Sequence, residues 1–500
     1  MNGQGAGTGP GAGHDGAMHD EPRAPGLYWA PAAWIDGGWQ DAVTLEVDAT
    51  GRWARIEPGT AAPAPAHVLA GPVLPGLVDA HSHAFQRAFA GLSERRTGAH
   101  DDFWSWRDRM YRVANAVTPE QLRAIAAHLY VELLRGGYTH VCEFHYLQHA
   151  PGGTPYDDPL ALGLALADAA EDAGLGLTYL PALYERAGFD APTLREDQRR
   201  FHATADDIWA RRADFAARAP QGRRVPLNAG VAIHSVRAAA GESIARLRTL
   251  AQHDAGPIHV HAAEQRAELR DCVAATGLTP VAWLASHDRA GLDARWQLVH
   301  ATHVTQQEID AVAASGAGVV ICPGTEANLG DGFTDVPAWL DAGVALAVGS
   351  DSQVTRSWRE ELRWMEYGQR LKLERRNVCA QPDVAPGKTS GDIPPAVSHP
   401  DTAGRLFDSA LRGGGAAAGE SRWGLRAGAR ADLLVVDPSD ASLAGLPRSH
   451  WLDALVFSSP GRPWRDVMVA GRWALRDHHH MAASSIAGRF AQAMAAIWEA

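Results

Sequence analysis

Cysteine is scarce in this chain: four residues, Cys142, Cys272, Cys322 and Cys379, are spread over 500 positions with no Cys-x-x-Cys pair. That spacing indicates neither a disulfide framework nor a cysteine zinc site, and it fits a reducing cytoplasm. Long apolar runs are missing too, since none approaches the roughly 20 residues that a membrane helix requires. Positive charge is also in deficit. The 46 Lys and Arg face 58 Asp and Glu, a formal charge of -12 with no dominant basic patch. Nucleic acid and anionic membranes are therefore poor partners. The first two dozen residues have neither the basic start nor the apolar stretch of a secretory signal, and 1–26 reads as a disordered tail. There is no solenoid repeat and no Gly-rich phosphate loop carrying a Lys.

What is present describes an ordinary globular protein. With 46% hydrophobic and 21% charged residues, 500 positions suggest one large domain with an accessory one, or two to three domains. From Leu27 to about His67, apolar residues alternate with turns, as in Trp34-Ile35-Asp36-Gly37-Gly38-Trp39, which predicts short antiparallel strands. Between Val73 and Gln369, strand-like runs alternate with helical stretches, the pattern of a parallel sheet and, at this length, of a (β/α)8 barrel. Strands are expected at 138–144, 176–183, 228–233, 258–262, 297–301, 318–322 and 346–349. A helix should start at Thr118-Pro119-Glu120-Gln121, where a Thr cap precedes Pro and an early acid. The Pro/Gly-rich 378–400 and the Gly/Ala-rich 413–419 read as mobile surface loops. Further on, Ala431 to Asp437 and Asp466 to Arg472 read as hairpin strands that complete the N-terminal β module.

Chemistry gathers at the strand ends. His81 and His83 follow apolar Leu77 and Val78, and alternate residues on a strand project to one face, where two imidazoles can share a metal ion. A His-x-His alone is weak. However, His261 with Glu264, then His300, then Asp351 each close another apolar strand, and barrel active sites lie at such ends. In an acidic chain, arginines near such a site become candidates for holding an anionic small molecule.

With these residues in hand, the chain resembles the amidohydrolase superfamily over about residues 27 to 478. That resemblance implies an α/β fold, a distorted (β/α)8 TIM barrel at 73–424, beside a small β-sandwich composed of 27–72 and 425–478, with a C-terminal helix or tail at 479–500. It also implies that His81, His83, His261 and Asp351 hold one divalent ion, with His300 beside the attacking water. Nitrogen and oxygen ligands suit Zn first and also admit Fe or Mn.

The runs Ala80-His81-Ser82-His83-Ala84-Phe85-Gln86-Arg87, Phe103-Trp104-Ser105-Trp106-Arg107, His261-Ala262-Ala263-Glu264-Gln265 and Thr325-Glu326-Ala327-Asn328-Leu329-Gly330-Asp331-Gly332 are similar to one branch of that superfamily. That branch hydrolyses N-formimino-L-glutamate to N-formyl-L-glutamate and ammonia in histidine degradation. Carried over position by position, Gln86, Arg107, Tyr146, His234 and Arg237 would contact this dicarboxylate, and Glu264 would shuttle a proton at its formimino group. Either His300 or Asp351 would act as general base. The sequence departs from the branch pattern at Gly324 and at Gln353-Val354-Thr355-Arg356. Two other readings stand beside this one: a deaminase of a ring amidine such as guanine, which would leave the two arginines idle, and a non-catalytic scaffold, which would have no use for the ligands. A homodimer is the base-rate expectation for assembly.

Overall fold

The computed structural model describes residues 26–95, 103–286, 291–381 and 401–499. The expected tail up to residue 25 and the 382–400 part of the expected loop lie outside the described residues. The described strands form two sheets.

The first is a mixed sheet built from both ends of the chain. Gly26–Ile35 and Gly38–Val47 pair as a long antiparallel hairpin. Its two-residue turn, Asp36-Gly37, has positive φ at both positions (46° and 84°), the geometry that matches the strands' right-handed twist. Val73–Leu74 pairs with Gly26–Ile35 on one side and with the C-terminal Leu433–Val436 on the other, which knits the two ends together. Val43, Leu45, Trp53, Val73, Leu433 and Met468 bury a core of their own. The two C-terminal strands, Leu433–Val436 and Trp464–Val469, pair antiparallel as expected, but through a long connection that contains the helix Trp451–Phe457 rather than a tight turn; Trp464–Val469 then turns back onto Arg472–Leu475.

The second sheet is the barrel. Its parallel strands are β1 (Leu77–Ser82), β2 (Tyr138–His145), β3 (Gly176–Leu183), β4 (Val231–Ser235), β5 (Ile258–Ala262), β6 (Trp296–His300), β7 (Gly318–Ile321) and β8 (Leu346–Val348), each hydrogen-bonded to the next. A parallel bridge between Ser82 and Asp351 nearly closes the ring. Helices cover the outside while side chains fill the inside, so these strands are almost wholly buried on both faces, polar residues such as Asp79, His140 and Glu143 included. The α/β barrel with its separate terminal sheet is the fold class that the sequence indicated. The run expected as one strand over 228–233 is split at Gly230, where a Cβ would stand 2.3 Å from Pro257 O.

Four helices bear on the site: α1 (Phe103–Ala114), α2 (Pro119–Gly136), α3 (Pro323–Leu329) and α4 (Thr402–Ala417). The start of α2 is the expected capping box: Thr118 accepts from Gln121 N while the Gln121 side chain accepts from Thr118 N. Arg107 stands on α1, whose aromatic residues line the pocket. One expectation is overturned: 413–417 of the glycine-rich run is the end of α4, not a surface loop. A Cβ at Gly413 would lie 2.2 Å from Leu346 O, one at Gly414 2.9 Å from Val78 Cβ, and one at Gly415 2.7 Å from Trp423 Cβ. Glycine is there so that α4 can press against β1 and β8, which explains why a flexible composition yields a rigid element. The helix end then plugs the N-terminal side of the barrel, with Ala417 O accepting from His259 Nε2 at 2.9 Å.

Candidate metal centre and substrate pocket

Closure of the barrel builds the centre. Asp351 N donates to His81 O (2.9 Å), and Asp351 O accepts from His83 N (3.2 Å), so the chain after β8 is tied to both histidines through the backbone. Buried Asp79 anchors the same joint by accepting from Ser350 N at 2.8 Å. Ala263, His300, Ala301, Asp351 and Gln353 all have φ between 45° and 70°, a left-handed conformation costing roughly 1–3 kcal/mol at a non-glycine residue. Strain at so many strand ends around one pocket marks a geometry that the surrounding fold imposes.

The imidazoles are aimed by their outer nitrogens. His83 Nδ1 lies 2.8 Å from Phe144 O, and His261 Nδ1 lies 2.8 Å from His234 O. A carbonyl only accepts, so each Nδ1 carries its proton and each Nε2 turns a lone pair inward. His81 Nε2 stands 3.1 Å from His261 Nε2, and Asp351 Oδ1 is 3.5 Å from the Nε2 atoms of both His81 and His83. Burial holds His81 down at about 3 and His261 well below the usual range, so neither ring carries a second proton at neutral pH. At this separation the inward lone pair of His261 Nε2 and His81 Nε2 can share a proton or a cation. The ligand atoms of His81, His83 and His261 lie within 4.8 Å of one another, and three imidazoles with a carboxylate are the donor set that Zn favours. The residues therefore fit a divalent ion.

Beside the cluster, His300 Nε2 stands 3.7 Å from Glu264 Oε1 and 3.8 Å from Asp351 Oδ2. Its other nitrogen, Nδ1, donates to Glu326 Oε1 at 3.2 Å. Burial pulls His300 down, but Glu264, Glu326 and Asp351 outweigh it and hold the ring at about 10 in this carboxylate-rich surround. Glu264 is pushed above its usual value, first by burial, with His300 opposing. Glu326 was quoted within a motif but given no role by the sequence. It reaches His300 from α3 and also accepts from Cys322 N, a convergence that local spacing does not reveal. Cys322 escaped notice as well. Its thiol, with His300 and Asp351, forms a second trio of possible ligand atoms, although burial keeps it protonated.

Every sequence-predicted site residue except His81 lines one pocket of about 750 Å3, open mouth included; His81 lies fully buried beside it. Gln86 Nε2 donates to Tyr146 OH (3.3 Å) near the centre, and Gln86 Oε1 is buried without a partner. At the mouth, the Arg107 guanidinium lies over Trp104 (4.6 Å) and Tyr111 (5.4 Å). Arg237 follows β4, 6.0 Å from the same indole. Stacking occupies the flat faces of these guanidinium groups, and at their edges each has one long hydrogen bond of 3.4 Å, Arg107 Nη2 to Asp108 and Arg237 Nη1 to Ala187 O, that a carboxylate could replace or supplement. The two departures from the family pattern meet each other: a Cβ at Gly324 would lie 2.6 Å from Thr355 Oγ1.

A barrel whose strand ends assemble buried histidines and an aspartate over an arginine-lined mouth defines a class. The chain belongs to the amidohydrolase family, whose model matches residues 73–385. Within it, the chain is a homologue of the formimidoylglutamate deiminase of Pseudomonas aeruginosa, 42% identical over 471 residues that cover 93% of this chain and 98% of that protein. The crystal structure of an amidohydrolase from Brucella melitensis superposes with a TM-score of 0.85 at 36% identity, covering 94% of this chain and 99% of that one. An adenosine deaminase from Xanthomonas campestris with bound zinc, at 22% identity and TM-score 0.74 over 95% of this chain and all of that one, shares the fold. Among the described residues, no helix is long and apolar enough to cross a membrane.

Proposed function

We propose that this protein hydrolyses N-formimino-L-glutamate to N-formyl-L-glutamate and ammonia, the deimination step of histidine degradation. The observation that carries the reading is the pocket. A polar, metal-competent floor stands below two arginines, and a substrate with a hydrolysable carbon–nitrogen group at one end and carboxylates at the other uses both. The 42% identity to a formimidoylglutamate deiminase supports the same substrate.

In this reading His81, His83, His261 and Asp351 hold one divalent ion, zinc in the first instance. When bound, it lowers the pKa of water and polarises the reacting carbon. Arg107 and Arg237 pair with the carboxylates, while Gln86, Tyr146 and His234 orient the formimino end. Water adds to the formimino carbon, a C–O bond forming as the C=N π pair moves onto the imino nitrogen, and the water's proton passes to Asp351 or, in molecules whose His300 ring is neutral, to His300. The carbon then bears two nitrogens. Ammonia leaves once its nitrogen is protonated, and Glu264 supplies that proton: burial favours its acid form, and it stands 3.7 Å from His300, which returns protons to it. Glu326 keeps the His300 ring turned so that Nε2 faces the reaction. The buried, unpaired cysteines support a cytoplasmic setting, and a homodimer is the working assembly.

Ammonia release from N-formimino-L-glutamate, N-formimino-L-aspartate, N-guanidino-L-glutarate and guanine tests the proposal. Turnover should be greatest with the first. Guanine as the sole substrate would overturn the reading in favour of a ring deaminase, and metal-replete protein inert towards all four would favour the scaffold.

A further inference from the structure

Between the two arginines, behind the pocket wall, lies a hydrogen-bonded group that the reaction above does not use. Gln198 sits on the short helix Glu196–Phe201 and is 1% exposed. Its Oε1 accepts from Arg195 N at 3.1 Å, which settles which end of the amide is oxygen. Both protons of Nε2 are then committed: one donates to Tyr184 OH at 3.0 Å and the other to Tyr111 OH at 3.3 Å. The two hydroxyls are 3.4 Å apart.

Each tyrosine stands beside one arginine. The Tyr111 ring, on α1, carries the Arg107 guanidinium over its face at 5.4 Å. Tyr184, just past β3, lies close enough to Arg237 for the two to interact electrostatically, and Arg237 Nη1 donates at 3.4 Å to Ala187 O, three residues beyond Tyr184. A single buried amide therefore ties α1 to the barrel wall at the level where the two cations stand.

We propose that Gln198 is a positioning residue that fixes the separation of Arg107 and Arg237, and so sets the length of dicarboxylate that the pocket accepts. This inference rests on the function proposed above. The physical reason is the rigidity of the link. A planar amide with three satisfied hydrogen bonds has no freedom to let α1 slide, so the arginines are held at one spacing rather than adapting to each ligand. Glutamate and aspartate derivatives differ by one methylene, and a fixed spacing discriminates between them where a mobile pair would not.

The test compares Gln198→Leu, which keeps volume and removes all three bonds, with Tyr184→Phe, which removes one hydroxyl. Steady-state ammonia release is measured with N-formimino-L-glutamate and N-formimino-L-aspartate, and calorimetry measures binding of N-formyl-L-glutamate. In both variants KM for the glutamate substrate should rise about fivefold or more while kcat stays within about threefold. The preference for glutamate over aspartate should fall at least about fivefold, and affinity for N-formyl-L-glutamate should weaken in step. If Gln198→Leu does not fold, Tyr184→Phe carries the test alone. Wild-type activity with unchanged KM and preference in Tyr184→Phe overturns this inference only. A fall in kcat with preference intact does the same. Wild-type protein inactive on both formimino substrates overturns the proposed function and this inference with it.

Discussion

Replacement of Arg107 by Met is the most direct probe of the substrate reading. The side chain is 13% exposed, its guanidinium face lies 4.6 Å from the Trp104 ring, and its contact with Asp108 is a long one at 3.4 Å. Met preserves the apolar stem and much of the stacking volume but removes the charge and the donor fork. Loss of the stacked cation costs the free protein about 0.5–1 kcal/mol. Loss of a charge-assisted bond to a carboxylate removes about 1.5–3 kcal/mol of binding. At about 1.4 kcal/mol per decade, the second figure predicts a rise in KM for N-formimino-L-glutamate of roughly 10- to 150-fold. Because the carboxylate is remote from the reacting carbon, kcat should change far less. Steady-state ammonia release at fixed ionic strength reads both constants, and a melting curve run alongside registers the smaller folding cost. A KM within twofold of wild type would refute the reasoning, since no dicarboxylate could then be using that guanidinium. A collapse of kcat with KM intact would point instead to a role at the reacting centre.

Glu264→Gln should lower kcat by about 100-fold or more with KM little altered, as expected for loss of a proton shuttle, and single-turnover ammonia release would check it. Removal of divalent ions by a chelator should abolish turnover and lower the melting temperature, with zinc restoring both; full activity in metal-free protein would contradict the proposed ligand set. Gly413→Ala should destabilise the fold although alanine is the better helix former, because its Cβ would meet Leu346 O at 2.2 Å; denaturant titration showing a gain in stability would disprove the close approach of α4. Burial holds His145 at about 3, against 6.5 when unfolded, so below pH 6.5 the unfolded chain binds a proton that the folded one refuses. Stability is then present above pH 6.5 and lost on acidification by about 1.4 kcal/mol per pH unit until about pH 3. Urea unfolding at pH 7 and 5 should show a shallower pH slope for His145→Gln.

The sequence by itself determined the elements and much of the chemistry. Strand and helix periods are local, so β2, β3 and β5 and the Thr118 cap were legible almost to the residue. The alternation of side chains along one strand made His81 and His83 a pair before any partner was known. What only the tertiary structure decided was the approach of segments far apart in the chain. His81 and His261 are 180 residues apart, and ring closure brings them to 3.1 Å. Glycines 413–415 have a loop's composition, yet the walls of β1 and β8 make them helix. Glu326 stands within a recognisable run that gives it no role, and Gln198 in none; each acquires its role from a partner delivered by another strand or helix. Local sequence encodes period and capping, whereas the barrel's closure fixes which side chains share a space, and the pocket is a property of that closure.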